Sequence, residues 1–452
     1  MITVGLVSLG CAKNLVDTEV MQGVLRRRGF HITLEPTLAD VLVVNTCGFL
    51  QAAKQEGYET IREMARLKRG GGLRRLVVAG CMVQRYAQEM QSQLPEVDSF
   101  LGLNDVERIA EACDLESEEP FVPDLGGATY LPDESAGRIL ATSGASAYLK
   151  ISEGCDNPCA FCIIPKIRGA FRSRSIASLV REAETLAASG VRELSLIAQD
   201  STSYGSDIGE TAGLAGLLRA LDNVESLRWI RILYAYPSKL TVRVMEAIAS
   251  CPRVCKYIDI PLQHASKRVL ARMRRGGSRE SFLRMLGELR RRVPGISIRT
   301  TFIVGFPSET EQDFDELAGF VEEARFDHMG VFLYSHEPGT AAHDLDDDVP
   351  DERKRDRRDR LMELQQRISL DLYSARVGTT QEVLVDAAPE KPGLPHRART
   401  CWQAPDIDGA VLVRTRRKLP VGEFLDVKVT GAGPYDLLAT PRTSPRRDAA
   451  RG

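Results

Sequence analysis

Three cysteines in one short segment have the spacing of a metal-cluster site, C-x3-C-x2-C: Cys155, Cys159 and Cys162. These positions would share one face of a helix, but Gly154 and Pro158 disfavour a helix because proline removes a backbone donor. A loop would instead bring three thiols to one point. Zinc usually takes four protein ligands, whereas an iron–sulfur cluster held by three thiolates keeps one iron open. The spacing predicts a cluster, with zinc or a purely structural loop as alternatives.

A second triad, Cys11, Cys47 and Cys81, is dispersed at intervals of 36 and 34 residues. Each cysteine follows a short apolar run and precedes a helix-like pattern, which indicates a parallel α/β sheet. Ligands bind beyond the carboxyl ends of such strands, so the three thiols are expected at one edge. We predict a second cluster with an open iron; the alternative is three unrelated small residues in tight turns. The runs are Ile2–Leu9, Val41–Asn45 and Leu76–Ala79, and the helices are Val16–Arg28, Phe49–Lys68 and Gln84–Leu94.

The composition excludes several classes of protein. The chain has 452 residues, ten cysteines and a net charge of −2. This balance argues against a nucleic-acid coat protein and against a highly charged disordered chain. No apolar run approaches the ~18 residues of a membrane span, and no signal peptide is expected. A cytoplasmic protein with reduced thiols is therefore predicted, and Cys113, Cys251, Cys255 and Cys401 are interpreted as structural.

The alternation of patterns predicts an α/β protein with an N-terminal parallel-sheet domain, a central barrel and a small C-terminal β-barrel. The predicted boundaries are 1–116 for the first domain, 117–140 for an exposed linker and 141–376 for the central domain. Six βα units are fewer than the eight that fill ~250 residues in a complete barrel, so a partial (β/α)6 barrel is predicted. Its strands are Tyr148–Ile151, Glu193–Ala198, Trp229–Leu233, Lys256–Ile260, Ser297–Ile303 and Met329–Leu333.

Polar residues follow several of these strands and should face the compact triad. Gln199, Asp200, Gln263 and His264 are candidate substrate or cofactor contacts, although each could equally be a strand-end cap or turn residue. Gly305 follows another strand and could let the backbone approach a cofactor, or could simply form a turn.

The C-terminal region changes from a helical to a strand-like pattern. Pro350–Ala375 is predicted as a long charged helix, and five short strands in 377–440 predict a barrel of the oligonucleotide-binding type. Residues 378–440 carry eight acids and eight bases. Because phosphate neutralisation supplies most non-specific affinity, at most a weak RNA contact is expected. Residues 441–452 are predicted to be a disordered tail.

The compact triad resembles the signature of the radical S-adenosylmethionine (SAM) superfamily, and the order of domains resembles the methylthiotransferase family over residues 1 to about 440. The resemblance implies a radical-SAM core at 141–376 and a C-terminal TRAM domain at 377–440. It also implies two [4Fe–4S] clusters: Cys155, Cys159 and Cys162 would hold the one that binds SAM, and Cys11, Cys47 and Cys81 the auxiliary one.

Within that family, three segments are similar to the branch that modifies a ribosomal protein: Ser8–Glu19, Ala198–Gly205 and Trp402–Gly409. The tRNA-modifying branch usually has a Gln-Met-Asn-like segment after the first cysteine, where this chain has Ala12-Lys13-Asn14. The resemblance implies conversion of an aspartate of small-subunit protein twelve to 3-methylthioaspartate, with electrons from a flavodoxin- or ferredoxin-like donor. A tRNA methylthiotransferase and a non-catalytic iron–sulfur RNA-binding regulator remain alternatives.

Overall fold

The computed structural model describes residues 1–117, 121–142, 144–391 and 393–442, and it contains three main sheets that follow one another along the chain. The first is an open parallel sheet, the second is an open six-stranded parallel sheet, and the third is a closed barrel. The predicted fold class is confirmed. Within the described residues, no helix is long and apolar enough to cross a membrane.

The N-terminal sheet has the strand order β2-β1-β3-β4-β5, and its pairs are parallel. Alternate residues of β3 join cores on opposite faces, which explains the uninterrupted apolar run. β2 and β5, three residues each, were not predicted because such short strands carry no periodicity. The elements are β1 (Thr3–Ser8), α1 (Ala12–Arg27), β2 (His31–Thr33), β3 (Val41–Thr46), α2 (Gln51–Arg69), β4 (Arg75–Gly80), α3 (Cys81–Gln93), β5 (Ser99–Leu101) and α4 (Ile109–Ala112).

The central sheet has the order β13-β12-β11-β10-β9-β6, as expected for sequential right-handed βα units that stop before closure. A two-residue hairpin, β7 with β8, lies beside the first strand and was not predicted. The elements are β6 (Ser146–Lys150), β7 (Ser152–Glu153), α5 (Ile164–Arg168), β8 (Arg172–Ser173), α6 (Ile176–Ala188), β9 (Glu193–Ile197), α7 (Gly213–Asp222), β10 (Trp229–Ile232), α8 (Val242–Ser250), β11 (Val254–Asp259), α9 (Lys267–Arg272), α10 (Arg279–Arg292), β12 (Ser297–Val304), α11 (Glu311–Ala324) and β13 (His328–Leu333).

The long helix α12 (Asp351–Ser374) packs against β13 and α11 and leads into the closed barrel, whose strand order is β14-β15-β16-β18-β17. The barrel strands are β14 (Thr380–Ala387), β15 (His396–Thr400), β16 (Val411–Val413), β17 (Phe424–Ala432) and β18 (Leu437–Pro441). Short 3-10 turns occur at Pro36–Leu38, Leu103–Arg108, Glu134–Ala136, Ser201–Ser203, Pro237–Lys239 and Ala341–Asp344.

The loop between β15 and β16 enters the central sheet at the beginnings of its strands. Ala404 is fully buried in a cluster with Tyr257 and Leu384. The carbonyl oxygen of Trp402 accepts a hydrogen bond from Ser297 Oγ at 3.2 Å and lies 2.8 Å from His328 Nε2. The C-terminal barrel therefore covers the central sheet where its strands begin, opposite to the carboxyl ends of those strands.

The segment predicted as an exposed linker, 117–140, packs against the protein in its described part. Arg138 forms an ion pair with Glu19 of α1 at 2.9 Å, and Ala128 is buried. The backbone N–H of Ile139 also donates to the carbonyl oxygen of Glu19. The segment thus combines exposed residues with specific contacts to the N-terminal domain. The predicted domain boundaries stay predictions, and most of the predicted tail, from residue 443, lies outside the described residues.

Candidate active site

The dispersed cysteines lie where the topology of the N-terminal sheet predicts a ligand site. In the order β2-β1-β3-β4-β5, β2 is added on one side of β1 and β3 on the other, so the strand order reverses between β1 and β3. Ligands bind outside the carboxyl ends of parallel strands at such a switch point. Cys11 precedes α1 directly, Cys47 follows β3, and Cys81 is the first residue of α3. Helix N-termini favour thiolates because their free N–H groups carry partial positive charge.

Glycines beside the dispersed cysteines bring the three turns together. A Cβ atom on Gly10 would lie 2.6 Å from Cys47 Cβ and 3.2 Å from its Sγ, and Gly10 has a φ of +92°. A Cβ atom on Gly48 would lie 2.8 Å from the carbonyl oxygen of Cys81. Only glycine permits these approaches. A glycine adjoining every cysteine of the triad was the sequence signal for this packing.

The compact triad lies in a loop that the β7–β8 hairpin closes. The backbone N–H of Cys155 donates to the carbonyl oxygen of Gly169 at 3.1 Å, which fixes one end of the loop. Asn157 Nδ2 lies 3.4 Å from Cys155 Sγ, and Arg275 Nη1 lies 3.6 Å from Cys159 Sγ. Hydrogen bonds to sulfur ligands are a means of tuning an iron–sulfur site.

Arg275 is held rigidly beside this loop. Its guanidinium stacks 4.0 Å from the centre of the Tyr236 ring, and its Nη2 donates to the carbonyl oxygen of Pro261 at 2.7 Å. Stacking and a fixed hydrogen bond pre-orient the remaining donor toward Cys159.

A short chain of buried polar contacts joins the two triads. Asn14 Oδ1 lies 3.5 Å from Cys81 Sγ and accepts a hydrogen bond from Arg168 Nη2 at 2.6 Å. Arg168 Nη1 donates to Glu153 Oε2 at 2.7 Å, and Glu153 is two residues before Cys155. These contacts link the turn that carries Cys81 to the segment that leads into the compact triad, where the N-terminal and central domains meet.

The junction between the triads is a buried network of opposite charges. Lys150 pairs with Asp17 and, at 2.8 Å, with Glu153, while Arg168 also reaches Asp17 at 3.1 Å. Burial alone would raise the pKa of Glu153, but Arg168 and Lys150 hold it below its usual value. Burial raises the pKa of Cys81 to about 12 despite the opposing effect of Arg168.

The donor set of each triad suits a cluster better than a single ion. Within the ranges that the structure describes, no three His, Cys, Asp or Glu side chains converge to hold one metal ion. In a four-iron cluster each thiolate binds a different iron, so the thiolates stand further apart. Three cysteines at each site are compatible with such a group, and at the compact triad the Asn157 amide and the Arg275 guanidinium donate toward two of the sulfurs.

Two of the predicted contact residues, Gln199 and Asp200, support the cysteine loop. Gln199 Nε2 donates to Glu153. Asp200 accepts hydrogen bonds from the backbone N–H groups of two following residues, as a cap does, and from Asn157 Nδ2 at 2.8 Å. Burial would raise the pKa of Asp200, but hydrogen bonds from the Thr202 hydroxyl, Asn157 and Lys239 lower it. A direct contact of either residue with a ligand stays a prediction.

The other predicted contacts lie at the ends of β11 and β12. Gln263 has a φ of +72°, and its backbone forms an isolated parallel β-bridge with Phe302. His264 is fully buried, and its Nδ1 accepts from the N–H of Ser266 at 3.0 Å. The side chain of Lys354 fills the space beside the Gly305 Cα atom, so packing alone explains that glycine. Their roles toward a ligand stay predictions.

Tyr234, together with Lys13, which sequence patterns did not identify, forms a further part of the site. The Lys13 ammonium lies 3.0 Å from the centre of the Tyr234 ring, and Tyr234 has a φ of +63°. Burial lowers the pKa of Lys13 to about 8, although Cys11 opposes this shift. The sequence signal was a lysine two residues after a cysteine at the start of a helix.

Three family models match successive parts of the chain. Residues 3–102 match the uncharacterized protein family UPF0004, residues 149–321 match the radical SAM superfamily, and residues 377–441 match the TRAM domain. The dispersed triad lies in the first region and the compact triad in the second. This order agrees with the predicted methylthiotransferase arrangement.

Full-length relatives decide the family. The ribosomal protein uS12 methylthiotransferase RimO of Pelotomaculum thermopropionicum is 47% identical, covering 96% of this chain and 98% of that protein. The RimO proteins of Trichlorobacter lovleyi and Geobacter sulfurreducens are 46% and 44% identical, each covering 96% of this chain and 97% of their own. The chain belongs to the RimO family. It is accordingly a radical-SAM methylthiotransferase, an enzyme that transfers a sulfur-containing group.

Solved structures outside the RimO family share the fold at low identity. The radical S-adenosylmethionine methyltransferase TsrM from Kitasatospora setae, with its tryptophan substrate and a SAM analogue bound, superposes with a TM-score of 0.55 at 15% identity, covering 93% of this chain and 82% of that one. The cobalamin-dependent enzyme OxsB gives a TM-score of 0.51 at 16% identity, covering 81% and 56%. This likeness establishes the fold of the RimO-family chain and no more.

Proposed function

We propose that this enzyme converts an aspartate of ribosomal protein uS12 to 3-methylthioaspartate. The RimO relatives are named for action on uS12, and they match this chain over nearly its whole length. The structural observation that carries the proposal is the continuity of the two triads through Asn14, Arg168 and Glu153. A reaction that both activates a carbon and delivers sulfur needs two such sites side by side.

The residues that would hold the cofactors follow from the two triads. Cys155, Cys159 and Cys162 would hold one [4Fe–4S] cluster. The other would be held by Cys11, Cys47 and Cys81. When bound, the first cluster with SAM supplies a hydrogen-abstracting radical, and the second supplies the sulfur that is methylated and transferred.

The polypeptide contributes position and exclusion of water. Arg275 and Asn157 orient the compact loop by donating toward its sulfurs. Arg168 ties this loop to the N-terminal domain, and its buried ion pairs keep solvent out of the junction. Fixed geometry in a dry site favours a reaction at an unactivated carbon, because reactive intermediates are protected from side reactions.

The C-terminal barrel is better suited to a structural role than to strong RNA binding. Its charges balance, and the loop at Trp402–Asp408 is engaged inside the central sheet, where Asp408 accepts from the Tyr257 hydroxyl at 2.8 Å. Non-specific nucleic-acid affinity depends on phosphate neutralisation, so any RNA contact would be weak. A flavodoxin- or ferredoxin-like protein would supply electrons, and the cytoplasm, where ribosomes operate, would be the site of action.

The proposal is tested by supplying the reconstituted enzyme, SAM and a strong reductant with either purified uS12 or unfractionated tRNA. We expect about eight irons per chain if both sites carry four-iron clusters, and a methylthio group on one aspartate of uS12 by mass spectrometry. Methylthiolated nucleosides with unmodified uS12 would instead support the tRNA alternative. The absence of SAM turnover would support a non-catalytic role.

A further inference from the structure

The Lys13 side chain is buried, and its ammonium has no ion pair with any residue that the structure describes. The side chain is 6% exposed, and its Nζ lies over the ring of Tyr234. Among the described residues, neither a hydrogen bond nor an ion pair to Lys13 Nζ is found; apart from the cation–π contact, Cys11, Glu153 and Asp259 are near enough to raise its pKa without pairing with it. Such a contact offsets only part of the free energy that burial of an ammonium costs.

The neighbouring buried cations differ from Lys13 in this respect. Lys150 is paired with Asp17 and Glu153, and Arg299 donates to Asp259 at 3.2 Å. A buried charge is normally paired because an unpaired one is strongly destabilising. Lys13 is therefore positioned for an anion that binds from outside the chain.

The position of Lys13 limits what that anion can be. Lys13 stands in the first turn of α1, two residues after Cys11, which is exposed and leaves a way in from solvent. Tyr234 follows β10 at the carboxyl ends of the central strands, and its N–H donates to Asp259 at 3.0 Å. Its φ of +63° is a strained conformation for a tyrosine and is held by the surrounding structure. The ammonium thus lies where the two domains meet.

We infer that Lys13, supported by Tyr234, binds the side-chain carboxylate of the substrate aspartate and so selects aspartate over its amide. This inference rests on the proposed function, which places an aspartyl side chain between the two triads. A buried ammonium forms a charge-assisted hydrogen bond to a carboxylate, whereas an asparagine in the same place would leave the charge uncompensated. The Tyr234 ring fixes the ammonium from the opposite side.

The test measures binding rather than turnover. Reconstituted enzyme without reductant is titrated with two fluorescent peptides from the modified region of uS12, one with the native aspartate and one with asparagine. We expect the wild type to bind the aspartate peptide at least about tenfold more tightly, since truncating one member of a buried charge pair typically has effects of that size or larger. In Lys13→Met, a neutral chain of similar shape, the two peptides should bind equally.

Lys54→Met is the matched control. Lys54 lies in the same domain, but Glu89 already pairs with it at 3.0 Å, so this variant removes one positive charge without affecting the proposed contact. It should keep the preference for the aspartate peptide. Retention of that preference in Lys13→Met would overturn the inference, as would a wild type that does not distinguish the peptides.

A second measurement separates substrate binding from a role in holding the auxiliary cluster. Lys13→Met should contain as much iron as the wild type, with an unchanged absorption spectrum. Loss of iron with an unchanged peptide preference would assign the ammonium to the cluster and overturn the inference. If the wild type fails to modify uS12 at all, the proposed function fails, which is a different result from a wild type that modifies uS12 while Lys13→Met keeps its selectivity.

Discussion

Buried ion pairs lie at both ends of the central sheet, but the two networks differ in how many of their charged groups have partners. At the strand beginnings, Glu193 is paired with Arg231 at 2.9 Å, is also bound by Arg399 of the C-terminal barrel, and accepts from Ser146 Oγ at 2.8 Å. At the carboxyl ends of the strands, the network around Arg168 lies beside the thiols of Cys11 and Cys81 and beside Lys13, whose ammonium has no ion pair among the described residues.

This difference indicates what each network does. A buried charge whose partners are all present acts as a joint between domains, and its groups have no capacity left for a ligand. A network that borders free thiols, and an ammonium with no ion pair in the part of the chain that the structure describes, has capacity for a ligand. The same sheet thus carries a structural joint at one end and the site of chemistry at the other, as parallel α/β sheets commonly do.

Replacement of Arg168 by Met should have the largest effect on stability. The change leaves Asp17 and Glu153 buried with Lys150 as their common cation, and removing one member of a buried pair costs about 3–5 kcal/mol. Urea denaturation of the apoprotein measures this loss. Arg279→Met is the control, because its pair with Glu323 is exposed and should change the free energy of unfolding by about 1 kcal/mol at most. Equal effects would contradict the distinction.

The stability that the Glu193 ion pairs contribute at the strand beginnings should decrease at acidic pH. Burial alone would raise the pKa of Glu193, but Arg399 and Arg231 hold it at about 2 in the folded protein, against 4.5 ordinarily. A lowered folded pKa contributes stability that is complete above about 4.5 and is lost as the pH falls toward about 2. The contribution at pH 7 is about 3 kcal/mol.

Glu193→Gln isolates that contribution from other carboxylates. The free energy of unfolding of wild type and variant is compared at a series of pH values from 7 to 3. The difference between them should shrink on acidification through this window. A difference that is constant with pH would mean that Glu193 is not the titrating member of the joint.

The smallest of the stability effects is expected for Gly10→Ala, which tests how the dispersed triad is assembled. The new Cβ atom meets Cys47, and the positive φ disfavours alanine, so the folded state should lose about 2 kcal/mol. Reconstituted enzyme should also lose up to about four irons. Gly71→Ala is the control, because Gly71 has a φ of +79° but nothing within 4 Å of the added atom. Equal iron content in the two variants would contradict the packing argument.

Sequence patterns predicted what is local or periodic. The compact triad is recognisable from eight consecutive positions, and the dispersed triad from its repeated place after apolar runs. Arg168 and Asn14 could not be paired in this way, because their contact joins residues 154 positions apart.

Some polar residues at strand ends have structural explanations that the sequence could not distinguish from ligand contacts. Asp200 caps a turn and holds Asn157, and His264 is fully buried. Gly305 is required by the side chain of Lys354, which comes from a helix about fifty positions later in the chain. The insertion of Ala404 into the central sheet likewise depends on how two separately folded units pack.

The most direct test of the central claim compares two matched triple variants, one with Cys155, Cys159 and Cys162 changed to Ala and one with Cys11, Cys47 and Cys81 changed to Ala. Each should lose about half of the iron. The first should form no 5′-deoxyadenosine from SAM, whereas the second should still cleave SAM but leave uS12 without a methylthio group. SAM cleavage by the first variant, or unchanged methylthiolation by the second, would contradict the assignment of the two triads to two separate tasks.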